Sequence, residues 1–451
     1  MFLLLLTMPY RYYCLLCFLG CCIGGLSACQ PTASRYVRST QDLATYITQL
    51  PLGTKPATDS KTSPCDNWAN YAPDSLHPEH TPVRWVRINI HIMNSTDSSH
   101  NFKGDEAIHF VEATIARANQ KLNENKQMWL PHGNHTPALP PRFQWRLTGM
   151  PDDKNDRGIY FHYDDELFWV NKKGPGSFHS RNICNKYSVQ SDSVINIFWV
   201  EHHPDSIKSP TYRATDDGIG YTNCVKIINA YNGYLIHQAN PKIDNAFEYR
   251  ITGVANLLNH ELGHSLGLPH TWGGDDGCDD TPQHSNCWNF NEGKNCESEV
   301  SNNVMDYNAY RDALTPCQLA KIHSYFWQPK QKQAALIAPV WCAYDPQATI
   351  YIHTGDTISW LCHKDFNGDI VVRAGAQLTL NCQVSMPPTS KISVESGGTL
   401  ILDGCRLLQR CAHLRPWRGI ELQYQRGKTR PRLIVKNGAT LEGTQALSAE
   451  N

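Results

Sequence analysis

The chain has 451 residues, 41% apolar and 10% aromatic, enough for two or three domains with sizeable cores. Its formal net charge is -1 and it contains no long basic block, so it lacks the electrostatic footprint of a nucleic-acid binder and nucleic acid is excluded as a partner. Seventeen cysteines is a high count, and the first five fall between Cys14 and Cys29.

Residues 1–28 have the make-up of a targeting signal. Arg11 supplies a positive charge, Tyr12 to Gly25 is mostly apolar or small, and Leu26-Ser27-Ala28-Cys29 resembles the lipobox of bacterial lipoproteins, whose cysteine is acylated and becomes the first mature residue. The expectation is an extracytoplasmic protein of the bacterial cell envelope, held to a membrane by a lipid at Cys29. The alternatives are plain secretion and an uncleaved anchor, for which the apolar run is short. Twelve cysteines follow from Cys65 onward, an even number in a compartment where disulfides persist, with connectivity left open.

Residues 29–82 are rich in Pro, Thr, Ser and Asp and carry one weak helical patch near Gln41 to Gln49, the pattern of a linker or a propeptide. Cys65 lies here. As a thiolate it would block a metal in a latent enzyme, whereas the even cysteine count favours a disulfide.

The globular pattern begins at Val83, and 83–328 read as one α/β (α+β) domain. VRWVRINIHIMN alternates as a half-buried strand does, and Gly104 to Asn125 places Ala107, Phe110, Val111, Ile115, Ala118 and Leu122 at helical spacing. Strands are predicted at Arg142 to Leu147, Ile159 to Tyr163 and Val194 to Val200, the last apolar enough to be central. Gly220 to Ala230 is the last strand before the next helix, and an edge strand there would pair with an extended peptide substrate. That helix is predicted from about Arg250, with Ile251, Val254, Leu257 and Leu258 as its buried face.

This face runs into NHELGHSLGLPH. Residues four apart share a helix face, so His260 and His264 can offer two nitrogens to one ion while Glu261 stands beside it. Gly267 can take the backbone out of the helix and bring His270 in as a third ligand. Three protein ligands leave a fourth position for water, the arrangement of a catalytic zinc, whereas a structural site would need a fourth ligand such as Asp275 or Asp276. The bland alternative is an amphipathic helix whose surface histidines happen to fall at ligand spacing. Beyond His270, the turn-rich TWGGDDGCDDTPQHSNCW carries Asp275, Asp276, Asp279 and Asp280, which fit either a calcium loop or solvated turns capped by their own aspartates.

Next comes NNVMDYNAY, in which Met305 is followed two residues later by Tyr307. Together with HELGHSLGLPH, DTP at Asp280 to Pro282, and Cys287 and Cys296, this pair resembles the pappalysin family of metzincins over roughly Val83 to Trp327. The resemblance implies a twisted mixed sheet with an active-site helix, and a zinc endopeptidase acting on protein or peptide substrates. It implies His260, His264 and His270 as zinc ligands, Glu261 as general base, Met305 as the Met-turn residue and Tyr307 as a group assisting the tetrahedral intermediate. Disulfides and bound calcium are further family expectations, with Asp280 the first calcium candidate. Arginine-preferring members carry an acidic residue five positions after the Met-turn methionine, where this chain has Tyr310. Cys278 and Cys317 also depart from the family's cysteines.

A helix at Thr315 to Trp327 closes this domain, and 329–341 read as a linker. Within 342–451, IHTGDTISW, VRAGAQLTL, VESGGTLIL and VKNGATLEG share an apolar-x-x-Gly-x-x-apolar pattern at a period of about twenty residues, one coil of an all-β parallel β-helix. No cap is evident after the last coil, and the expectation is that the natural protein continues or is truncated. A rival function is a cell-surface adhesin or carbohydrate-binding protein that works through these repeats, with the metal domain a relic.

Overall fold

The computed structural model describes residues 32–47, 63–98, 101–171, 174–281, 283–284, 287–289, 296, 300–328 and 330–444. The lipidation candidate Cys29 lies outside them.

The first large unit is a twisted mixed sheet covered by two long helices. In spatial order its strands are Phe143–Leu147, Arg84–Asn94, Ile195–His202, Cys224–Ile228 and Gly218–Tyr221. The first four are parallel and the last, at the edge, is antiparallel. Ile159–Tyr163 pairs with the far half of Arg84–Asn94. The sequence reading took Gly220 to Ala230 as one strand, but Thr222 and Asn223 form a turn that folds it into a hairpin, so the edge strand is Gly218–Tyr221.

Helices Gly104–Asn123 and Ala246–Ser265 pack on each other and on the sheet. The apolar stripe foreseen in the first helix is buried against Ile88, Ile197, Val254 and Leu258 in one core. Each such side chain contributes about 1.5–3 kcal/mol. The second helix starts earlier than expected, because Asn245 caps it by accepting from the Glu248 N–H. Its depth is fixed by Asn259, whose amide accepts from Trp145 Nε1 at 2.8 Å and donates to the Ala118 carbonyl at 3.1 Å, tying helix, sheet and neighbouring helix together.

The closing helix is Pro316–Tyr325, with a capping box between Thr315 and Gln318. The stretch read as a linker is packed onto this unit. Leu336 and Ile337 join its core, and the Ala338 N–H donates to Trp85 O.

From Ile350 the chain runs through repeating short strands that form three parallel stacks. In the first stack Ile350, Ile370, Ile392 and Ile420 are in register and all are buried, so identical side chains lie on one another. Leu378, Leu400 and Leu433 do the same in the second. The corner glycines recur because of backbone geometry: Gly375 and Gly397 have φ of 75° and 87°, a region costly for other residues.

Part of the segment read as linker or propeptide is ordered against the last of these strands. Thr32–Val37 pairs antiparallel with Ile420–Gln425, and Leu43 is buried in the repeat core. The Thr40 hydroxyl exchanges hydrogen bonds with the Leu441 backbone at 2.9 and 3.2 Å.

Polar groups join the two units. Asp365 is buried between Arg84 at 3.4 Å and Arg410 at 2.9 Å, Lys364 donates to His80 O, and Cys65 is bonded to Cys382. The remaining disulfides are Cys184–Cys224, Cys278–Cys317, Cys287–Cys296 and Cys342–Cys411. Cys362 and Cys405 stay free and buried, although the even count suggested full pairing.

Candidate active site

The C-terminal half of helix Ala246–Ser265 carries the expected constellation. His264 Nε2 lies 3.0 Å and His260 Nε2 3.2 Å from His270 Nε2. The other ring nitrogens of His260 and His264 are committed. His260 Nδ1 donates to the Val304 carbonyl at 2.8 Å and His264 Nδ1 to the Leu268 carbonyl at 2.7 Å. A carbonyl can only accept, so both protons sit on Nδ1 and both Nε2 lone pairs face inward.

Burial drives these rings to their neutral form. It pushes His260 down to about 2 and His270 to about 4, and also lowers His264. Neutral imidazoles with convergent lone pairs repel one another unless a cation sits between them, so the donor set fits a metal. Among the described residues no other His, Cys, Asp or Glu joins this trio, which leaves a fourth position clear of protein ligands.

Gly267 performs its predicted turn with φ of 93°. The Gly267 N–H bonds His264 O and the Leu268 N–H bonds Gly263 O, and the chain then doubles back to present His270. His270 is held from outside by Trp272, stacked at 5.3 Å, and by the Tyr307 ring at 4.7 Å. Asp306 ties the loops together, accepting from the Thr271 hydroxyl at 2.5 Å and meeting His284 Nε2 at 3.0 Å.

Met305 is fully buried beneath the helix, beside Gly263. Tyr307 is 42% exposed and borders the trio. Glu261 is 4% exposed, and burial pushes its carboxyl up to about 8 against the opposing pull of the Arg311 guanidinium and the Gly220 N–H. Space for it comes from the edge strand. A β-carbon on Gly218 would fall 2.4–2.6 Å from the Glu261 carboxyl end, and one on Gly220 would fall 2.4 Å from the Glu261 carbonyl oxygen. Sequence reasoning missed both glycines, whose role depends on strand and helix being neighbours.

A cavity of about 1030 Å³ opens beside His260, Glu261 and Tyr307. Tyr310 does not line it. Its ring packs edge-on against Trp129 at 5.1 Å and against the Leu130, Cys287, Cys296 and Val300 cluster. Arg311, the next residue, lines the cavity instead. The sequence held a signal for it, since Arg311 is the one basic residue between Met305 and Thr315.

Asp280 stands at the start of helix Pro316–Tyr325, accepting from the Thr315 hydroxyl at 2.8 Å and the Cys317 N–H at 2.9 Å. Asp275 and Asp276 accept from the N–H groups of Gly277 and Cys278. These are the self-capped turns of the second sequence alternative.

Residues 216–326 match the peptidase family model described as pregnancy-associated plasma protein-A. Pappalysin-1 from Homo sapiens is 27% identical over 205 residues, covering 34% of this chain, and the chain spans 12% of that relative's length. Among solved structures, mature mirolysin of Tannerella forsythia in complex with a cleaved peptide is 18% identical with a TM-score of 0.37, covering 57% of this chain and 96% of that one. A promirolysin variant from the same organism is 17% identical with a TM-score of 0.38, covering 60% and 88%.

Proposed function

We propose that this pappalysin-like chain is a zinc endopeptidase whose site is centred on His260, Glu261, His264 and His270. The observation that carries the reading is the convergence of three Nε2 atoms, two of them with Nδ1 protons fixed by backbone carbonyls, beside a buried carboxylate. His260, His264 and His270 would hold the ion. Bound there, zinc supplies Lewis acidity and lowers the pKa of a water to about 7.

The chain's own groups do the rest. Glu261 takes the proton from the attacking water and delivers it to the leaving nitrogen, a shuttle that its burial beside the imidazole trio positions it to perform. The Tyr307 hydroxyl donates toward the carbonyl oxygen as it gains charge. Among the described residues, strand Gly218–Tyr221 is paired on one side only, and its free side is available to an extended peptide.

In the same reading the three parallel stacks are coils of a β-helix, the leader directs the chain out of the cytoplasm, and Cys29 carries a lipid. Calcium at Asp280 would share carboxylate oxygens that also accept from the Thr315 hydroxyl and the Cys317 N–H.

The test is zinc content and casein cleavage by the purified full chain and its Glu261→Gln variant. The reading requires about one zinc per chain in both proteins and cleavage by the wild type alone. Equal cleavage by both, or a well-folded wild type without zinc, overturns it.

A further inference from the structure

We infer that the cavity beside Glu261 is a subsite for an acidic side chain, with Arg311 as the residue that selects Asp or Glu next to the scissile bond. This rests on the peptidase reading and names the substrate class of the same site.

Arg311 is half-buried, and among the described residues its guanidinium makes no hydrogen bond or ion pair. Its side chain lies over the Trp288 ring at 5.7 Å, and the carboxylates of Glu261, Asp306 and Asp217 attract it without reaching a direct ion pair. Nε is buried and has no partner. A guanidinium withdrawn from water without a hydrogen-bonded carboxylate is costly, and its planar fork suits a bidentate one.

The other cations of the cavity are already matched. Arg250 donates to both oxygens of Asp216, and Arg117 is paired with Glu248. Asp217 accepts from the Thr215 hydroxyl. Of the neighbouring acids Glu261 attracts Arg311 most strongly, no ion pair joins the two, and the proton-shuttling role of Glu261 requires it to stay free of one.

The backbone places Arg311 deliberately. Its φ is 42°, a left-handed conformation unusual for a long side chain. Asn308 holds it there, with Oδ1 accepting from the N–H groups of Tyr310 and Arg311 and Nδ2 donating to Asn303 O. This turn sends Tyr310 toward Trp129 and Arg311 into the cavity. Because the cavity adjoins His260, Glu261 and Tyr307, the substrate side chain entering it flanks the bond being cut.

The experiment profiles cleavage of an unbiased peptide library by the zinc-loaded full chain, followed by kcat/KM on matched peptides with Glu or Gln at the position flanking the cut. Enrichment of Asp and Glu at one fixed position, with at least a tenfold preference for Glu over Gln, supports the inference. Arg311→Gln should erase that preference, and Arg311→Glu should move it to Lys and Arg. Cleavage with no acidic preference, or a preference unchanged in Arg311→Gln, overturns the inference while leaving the peptidase reading standing. No cleavage at all overturns both. The wild-type Glu and Gln comparison needs no variant to fold.

Discussion

Gly263 and Met305 are so close that a β-carbon on the glycine would fall 2.3 Å from the methionine sulfur. The helix bearing two of the three imidazoles therefore rests on the Met305 loop with no room for one extra carbon. Gly263→Ala should force helix and loop apart and disturb the His260 bond to Val304 O. The expected cost is about 1–3 kcal/mol, the usual range for overpacking, together with weaker zinc retention. Thermal unfolding and zinc titration check it, and an unchanged zinc affinity would refute the idea that this contact sets the ligand geometry.

Gly218 should behave differently. Its missing β-carbon leaves room for the Glu261 carboxylate and does not touch the imidazole trio. Gly218→Ala is expected to keep zinc while cutting kcat by roughly 10²-fold or more, on the scale of losing a general base. Zinc content measured beside kcat separates this from a folding defect.

Chelation should lower stability as well as activity, because the metal binds only where the three rings converge. With free zinc at about a thousand times its dissociation constant the stabilisation is about 4 kcal/mol. Chelator should therefore drop the unfolding midpoint by several degrees, and added zinc should restore it. An unshifted midpoint would mean that the trio does not hold the ion.

Glu421 gives a pH prediction away from the active site. Burial alone would raise its carboxyl, but hydrogen bonds from Lys391, Gln423, Tyr36 and Ser393 outweigh that and hold it down to about 2. A carboxyl lower in the folded than the unfolded state stabilises above its unfolded pKa of about 4.5, and the contribution is lost as pH falls toward about 2. The contribution is about 3 kcal/mol. The stability of Glu421→Gln, measured by denaturant titration, should fall short of wild type at pH 7 and converge with it near pH 2. A constant gap across that range would contradict the assignment.

The convergence of the three imidazoles was legible because its logic is local. Helical spacing sets His260 against His264, and one glycine turns the chain toward His270. The repeats were legible for a similar reason, since each coil's register follows from the one before. What the sequence hid depends on partners distant in the chain or on one unusual dihedral. Tyr310 packs on Trp129 and Arg311 lines the cavity through a left-handed backbone conformation at Arg311 that no spacing in the sequence announces. The hairpin at Gly218–Ile228 was hidden by a turn lacking glycine and proline. Tyr36 meets Glu421 across 385 residues, a separation at which composition reads only as a linker or a propeptide.

That distant pairing has a mechanical consequence. The first repeat strands meet the mixed-sheet unit and the segment before it through Asp365 and Lys364, whereas Thr32–Val37 zips onto Ile420–Gln425, the other end of the first stack. The same strand covers the Ile420–Gln425 edge, so trimming residues 32–37 would expose that strand's N–H and C=O groups to pairing with a second chain.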